Sequence, residues 1–495
     1  MSTRTAMDCA PAPTPAAAGA SARLCAAVAG WRFEGLPTDV IGTAKRFLQD
    51  TLGVIGGAAE APGIAALHAR AARWERDGSA TALLDGRAYS PTTAALLNGS
   101  AAHALDYDDL HDGARVHTNC VVLPALLATA QDVGNVDGRR FLLALVAGTE
   151  LHARLGLACV NALAKGWHPT MIEGSLAAAI ACGLLRNLPA ERLNHALGIA
   201  YHQACGNVQS IRDGALSKRL GAGFAARNAV LAAALAEDGL TGPTRALEGD
   251  AGLFAQYEGA DARPEALFDG LGERWEVPAY SFKPYPCCRC IHTVIDLAIG
   301  LHDQGIRAAE VAQAEVRMGL VNVQTVGGAY DPDRRSVVHA QFNAAYGFAR
   351  ALIDGGAGLA AFRLPAIADA DVAALARRTS VVADDAIAAN AIEPARIRLH
   401  LRDGRVVEAA SEQMKGSPHK PMSAREFAAK FDECLALGCG ASPADAARLA
   451  ATIDALETQR DAAAALVRAF PAGGAARVAA PAAPAHPHPR SDAWQ

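Results

Sequence analysis

Apolar positions in the first half of the chain recur at helical spacing. Between Pro37 and Leu52, the residues Val40, Ala44, Phe47, Leu48 and Leu52 fall on one stripe, which predicts an amphipathic helix with a single buried face. Stretches 141–155 and 173–185 are rich in Ala and Leu and nearly apolar all round, the pattern of helices buried inside a large bundle. Residues 21–268 are therefore expected to be helical throughout. The texture then changes. Residues 276–280 and 311–320 look extended, and 395–401 alternates with period two before Asp403-Gly404, a hairpin signal that makes 406–410 the partner strand. Helices are expected at 290–304 and 341–353, so 269–411 reads as an α+β unit. Amphipathic patterns return at 423–437 and 443–466. The expected architecture is mostly α with an α+β part: a large helical domain formed by both ends of the chain (21–268 and 412–470) carrying an inserted, smaller α+β lid.

Composition narrows the class. A chain of 495 residues is long for one small domain. Hydrophobic residues make up 51% and charged residues 20%, the balance of a globular enzyme-sized protein. The formal net charge of -5, with no basic block, leaves a nucleic-acid surface without electrostatic support. No uncharged apolar run reaches the length of a membrane span. Residues 1–20 lack the apolar region of a secretory signal and read as a disordered leader, and 471–495, with AAPAAPAHPHPR, reads as a disordered tail. The 11 cysteines are an odd number and include Cys287, Cys288 and Cys290, but no second CxxC follows to complete a zinc site. Reduced thiols in a cytoplasmic protein are expected.

The chemistry concentrates between Asn98 and Ala128, where His103, Asp106, Asp108, Asp109, His111, Asp112 and His117 lie between two apolar flanks. Burying such groups without partners costs several kcal/mol, so the stretch is either a solvated loop bending at Gly113 or a functional site. Lysine is scarce, with Lys45, Lys165, Lys218, Lys283, Lys415, Lys420 and Lys430 the only ones in the chain. Each therefore merits individual inspection.

Several motifs agree at once. NGSAAHALDYDD from Asn98, His117 ahead of VVLPALLA, GWHP from Gly166, GALSKRL from Gly214 followed by GFAARN, KPYPCCR from Lys283 and KGSPHKPMS from Lys415 together resemble the MmgE/PrpD family over about residues 22–465. The family includes 2-methylcitrate dehydratase, cis-aconitate decarboxylase and iminodisuccinate epimerase. The resemblance implies a helical domain with an inserted lid, a homodimer, and an active site between the two parts that needs no metal or cofactor. It implies that His117 and His168 are the active-site histidines, that Lys218 and Lys283 bind carboxylates of a small di- or tricarboxylate, and that Asp106 supports them. Asp109 and His111 are candidates to line the same loop, and Tyr330 is the nearest candidate for an aromatic from the lid. His103 reads as a packed helix histidine, Trp167 as a neighbour of the site, and Arg289 and His292 as supports behind Lys283.

Proton transfer at carbon next to a carboxylate is the step these reactions share, and a neutral imidazole near pH 7 suits it. The expected activity is a metal-independent lyase, cis-aconitate decarboxylase-like or 2-methylcitrate dehydratase-like. An epimerase, a metal-dependent hydrolase using Asp106, Asp109, His111 and His117, and an inactive binding member stand as alternatives. Departures from the family pattern include Leu110 in place of a Thr, Thr118 in place of a Pro, and Gly221 in place of a His.

Overall fold

The structure, a computed structural model, describes residues 19–75, 77–473 and 478. The predicted leader and tail lie almost wholly outside the described residues. Helices Thr38–Gly57, Pro91–Ala102, Asn119–Val133, Gly138–Ala158, Pro169–Leu185, Ala190–His202 and Ser217–Glu237 build the helical part. Local chemistry sets their starts. Ser90 accepts from the Thr93 amide at 3.3 Å with Pro91 in the first turn, and Asp137 accepts from the amides of Arg139 and Arg140 at 3.0 Å.

Small residues decide how closely these helices cross. A Cβ on Gly99 would lie 2.9 Å from the Gly223 Cα, and one on Gly223 would lie 2.4 Å from the Leu96 carbonyl oxygen. The backbones of Pro91–Ala102 and Ser217–Glu237 are thus in direct contact. That crossing brings the first turn of the second helix, with Lys218, onto the loop that follows the first. Gly138–Ala158 is long and apolar enough to cross a membrane, but 89% of the relevant window is buried inside the protein, as a core helix requires.

The C-terminal helices return to this bundle. Ala424–Cys439 and Pro443–Asp454 each start with a serine capping box, Ser423 with Glu426 and Ser442 with Asp445. Phe431, Leu435 and Leu449 share one hydrophobic core with Phe47, Leu48 and Leu52. A Cβ on Gly438 would meet the Gly56 carbonyl oxygen at 1.9 Å, so here too two helix backbones touch. The predicted single helix over 443–466 is instead two. Asp461 caps a separate helix, Ala462–Ala469, by accepting from the Ala464 amide at 2.9 Å.

A second core, containing Ile291, Ile295, Val316, Phe348, Ile397 and Leu399, underlies the α+β part. Its four strands run in the order Thr379–Ala383, Val311–Met318, Ala395–Leu401 and Val406–Ser411. The first pair is parallel and the others antiparallel, with Val316 facing Val381 on one side and Ile397 on the other. The predicted hairpin forms, with Gly404 at φ 90°, a conformation that suits glycine. Strand Thr379–Ala383 was not predicted, since five residues at a sheet edge give too short a pattern. Conversely, 276–280 is not a strand. The amides of Glu276 and Val277 both donate to one Glu150 carboxylate oxygen, at 2.7 and 3.2 Å, and the chain curls into the short 3-10 turn Val277–Ala279.

Substituting Gly223→Ala should cost about 1–3 kcal/mol, because the methyl group would press on the fixed Leu96 carbonyl as well as on the Ser100 hydroxyl. Chemical denaturation of the variant against wild type measures it.

Candidate active site

The loop after helix Pro91–Ala102 is held by partners distant in sequence. The carbonyls of Leu105, Asp106 and Tyr107 accept in turn from Gln341 Nε2 at 2.7 Å, Lys283 Nζ at 2.9 Å and Lys430 Nζ at 2.8 Å. Lys430 also pairs with buried Asp50 at 2.6 Å and lies over the Tyr107 ring. Leu110 and Ser281 exchange two backbone hydrogen bonds, at 3.0 and 2.7 Å. Ser281 and Arg289 both reach Asp112, and Arg289 continues to the Lys415 carbonyl at 2.8 Å. The loop is consequently fixed even where Asp106 adopts φ 54°, in the left-handed region.

Asp106, only 4% exposed, meets Lys218 through one oxygen and Lys283, at 3.3 Å, through the other. Burial alone would push this carboxyl up, but the two ammonium groups outweigh it and hold Asp106 well below the usual carboxylate range. For Lys283, burial disfavours the charge while Asp106 and Asp108 favour it, and the balance is upward. Two cations sharing one carboxylate leave a net positive charge for a second one. Lys218 also lies over the ring of Phe342, from the α+β part, at 5.3 Å from its centroid.

The histidines meet on a different carboxylate. Asp108 Oδ2 accepts from His103 Nδ1 at 2.8 Å and lies 3.2 Å from His117 Nδ1, all on the same loop. Burial raises the Asp108 carboxyl, but His103 and His117 bring it well below the usual range. His168 immediately precedes Pro169–Leu185 without a side-chain capping bond, and its ring centroid lies 6.3 Å from that of His103. Burial, followed by the neighbouring His103, Lys218 and His117, pushes His168 far down, so it is neutral at physiological pH. Its Nδ1 is buried without a hydrogen-bond partner. His117 is the most open of the three, at 17% side-chain exposure.

The structure thus brings Asp106, His117, His168, Lys218 and Lys283 into one neighbourhood. The other candidates face elsewhere. Asp109 is fully buried and accepts from the Asn119 amide at 3.2 Å and side chain at 3.1 Å, at the start of Asn119–Val133. His111 accepts from the Ala114 amide and sits 3.3 Å from Glu276. Tyr330 lies in the α+β core, stacked on His339, and donates to the Ile367 carbonyl at 2.8 Å. Trp167 packs edge-on against Tyr257, and His292 lies 3.3 Å from the Cys287 carbonyl. The metal set Asp106, Asp109, His111 and His117 is dispersed among these partners. Among the described residues, three donor groups come within 4.8 Å of one another at His103, Asp108 and His117, with the Asp108 carboxylate hydrogen-bonded to His103 and in ion-pair distance of His117.

The sequence places Asp108 in the cluster without a role, reads His103 as a packed helix histidine, and marks neither Gln341 nor Phe342. DYDD offers three carboxylates, and only the turn at Asp106 decides which faces which neighbour. The Gly221 departure has a physical counterpart. A Cβ there would lie 2.7 Å from Met171 Sδ, so this methionine, one turn beyond His168, fills the space.

The sequence model of the MmgE/PrpD N-terminal domain matches residues 22–265, and that of the MmgE/PrpD C-terminal domain matches 285–457. The chain belongs to the MmgE/PrpD family. It is 32% identical over 419 residues to the cis-aconitate decarboxylase-like protein oryM of Aspergillus oryzae, covering 80% of this chain and 86% of that protein. It is 28% identical over 361 residues to cis-aconitate decarboxylase of Aspergillus terreus (69% and 74% covered) and 27% identical over 419 residues to that of Homo sapiens (82% and 85%). These relatives support a lyase-type function for this MmgE/PrpD protein. Lys283 lies in the link between the two matched spans, and the C-terminal match runs on into helices that pack with the N-terminal part.

Asp109 has a consequence for stability. Burial, then Asp108 and Asp50, push its carboxyl up to about 8, against 3.8 when unfolded. The folded chain therefore binds the extra proton. The stability this contributes is complete below the unfolded value and is lost as pH rises through about 8. Asp109→Asn should accordingly gain at least about 1 kcal/mol relative to wild type between pH 5 and pH 8, read from denaturation curves at both pH values.

Proposed function

We propose that this protein is a metal-independent lyase that decarboxylates cis-aconitate or a close tricarboxylate relative. The observation that carries the reading is the meeting of Lys218 and Lys283 on Asp106, beside a histidine pair on Asp108. In this reading the lysines hold the carboxylates that the product retains, with their surplus positive charge drawing a polyanion into a largely dehydrated site. The bond to the departing carboxylate breaks and its electron pair forms a new C=C with the central carbon. The original double bond shifts its pair to the far alkene carbon, which takes up one proton as CO2 leaves. That carbon itself bears a carboxylate, so the developing charge spreads onto oxygens beside the lysines. His117 delivers the proton, because it is the most open histidine and Asp108 lies behind its ring. His168, neutral and with a free ring nitrogen, is placed to orient the substrate. The similarity to a fungal and a human cis-aconitate decarboxylase, and to a fungal cis-aconitate decarboxylase-like protein, favours this bond cleavage over dehydration or epimerisation.

Incubating purified protein in D2O separately with cis-aconitate, 2-methylcitrate and iminodisuccinate, followed by NMR, tests the reading. Itaconate carrying one new deuterium is expected from cis-aconitate, and it should disappear with His117→Ala. Water loss from 2-methylcitrate alone, or deuterium exchange into iminodisuccinate alone, would replace the decarboxylase assignment. Lys218→Met should lower kcat/KM by at least about a hundredfold, since a charge-assisted contact to a retained carboxylate is worth about 3 kcal/mol.

A further inference from the structure

We propose that His103 is a positioning residue that sets the proton affinity of His117 by sharing the Asp108 carboxylate oxygen. This rests on the reading of His117 as the proton carrier. The two contacts on that oxygen are unequal. His103 Nδ1 makes a proper hydrogen bond at 2.8 Å, whereas His117 Nδ1 lies at 3.2 Å without hydrogen-bond geometry. A lone pair on either nitrogen would repel the carboxylate, so both rings carry their proton on Nδ1 and leave Nε2 as the basic atom. The two rings also meet edge to face, with centroids 5.1 Å apart.

A packing role does not explain an imidazole at this position. His103 is buried, and its Nε2 has no partner, which an apolar side chain would avoid. What the ring gains in return is the bond to Asp108. That bond draws negative charge away from the side of Asp108 facing His117. With His103 present, Asp108 faces His117 with an oxygen that already accepts a hydrogen bond.

Among the described residues, further charged and titratable groups face this cluster. His117 faces Asp106, His152 and His168, while His103 faces Lys218 and His168. Asp108 is also near Asp50, Asp109, Cys120 and Lys283. Cys120 also hydrogen-bonds the Asp108 carboxylate, and His103 is the imidazole that shares the Oδ2 atom with His117.

The test begins with the wild-type chain, without substrate. Long-range 15N–1H spectra of its histidines should show His103 and His117 protonated on Nδ1, and an Nε2–H form of His117 would overturn the proposal. In the variants, His103→Leu removes the donor at similar volume, while His103→Asn keeps an N–H near the Nδ1 position. With His103→Leu, the alkaline limb of kcat/KM for cis-aconitate should move up by about 1 pH unit. His103→Asn should leave it in place. A profile unmoved in the leucine variant but disturbed in the asparagine variant would assign His103 to packing and overturn the proposal. If the leucine variant fails to fold, Asp108→Asn in the otherwise intact chain should move the same limb down, and no movement overturns the proposal. If no tricarboxylate turns over at all, the proposed reaction fails, while the tautomer spectra still decide the hydrogen-bond arrangement.

Discussion

Three successive carbonyls, from Leu105 to Tyr107, each receive a side-chain donor from a different and distant part of the chain. Gln341 comes from the α+β part, Lys283 from the link, and Lys430 from a C-terminal helix. A backbone pinned at three consecutive residues has little freedom left, and it is this constraint that holds Asp106 at a positive φ between two ammonium groups. Loosening any pin would let the loop relax and would unpair a buried cation or carbonyl, a change worth several kcal/mol.

The same loop separates two electrostatic tasks. Asp106 partly neutralises Lys218 and Lys283, which allows two like charges to sit in a buried site while a positive excess remains for substrate. Two residues on, Asp108 serves the imidazoles. Asp109, the next residue, is turned to Asn119 and supports the start of a helix instead. Adjacent carboxylates thus acquire different roles from what the turn lets each one face. The close crossing at Gly99 and Gly223 completes the arrangement by setting Lys218 against the loop.

Much of this was legible in advance. The apolar stripe in Thr38–Gly57, the hairpin at Asp403-Gly404 and the helical return at Ala424–Cys439 all follow from periodicity and turn chemistry. The scarcity of lysine gives weight to each of the seven, and the motifs mark Lys218, Lys283, His117, His168 and Asp106. The curl at 276–280 was not legible, because it depends on Glu150 collecting two amides from more than a hundred residues away. Nor was the break after Asp454, where one capping aspartate restarts the helix.

By itself, then, the order of residues determined the helical class, the α+β part and the family, because periodicity, caps and motif spacing are local properties of the chain. It also marked out the stretch where the chemistry concentrates. Only the tertiary structure decided which of Asp106, Asp108 and Asp109 meets lysine, histidine or a helix start, and it alone placed Gln341, Lys430 and Phe342 around them. The physical reason is that a side chain's partners in a pinned loop depend on backbone angles imposed from afar, and those angles leave no periodic trace in the sequence.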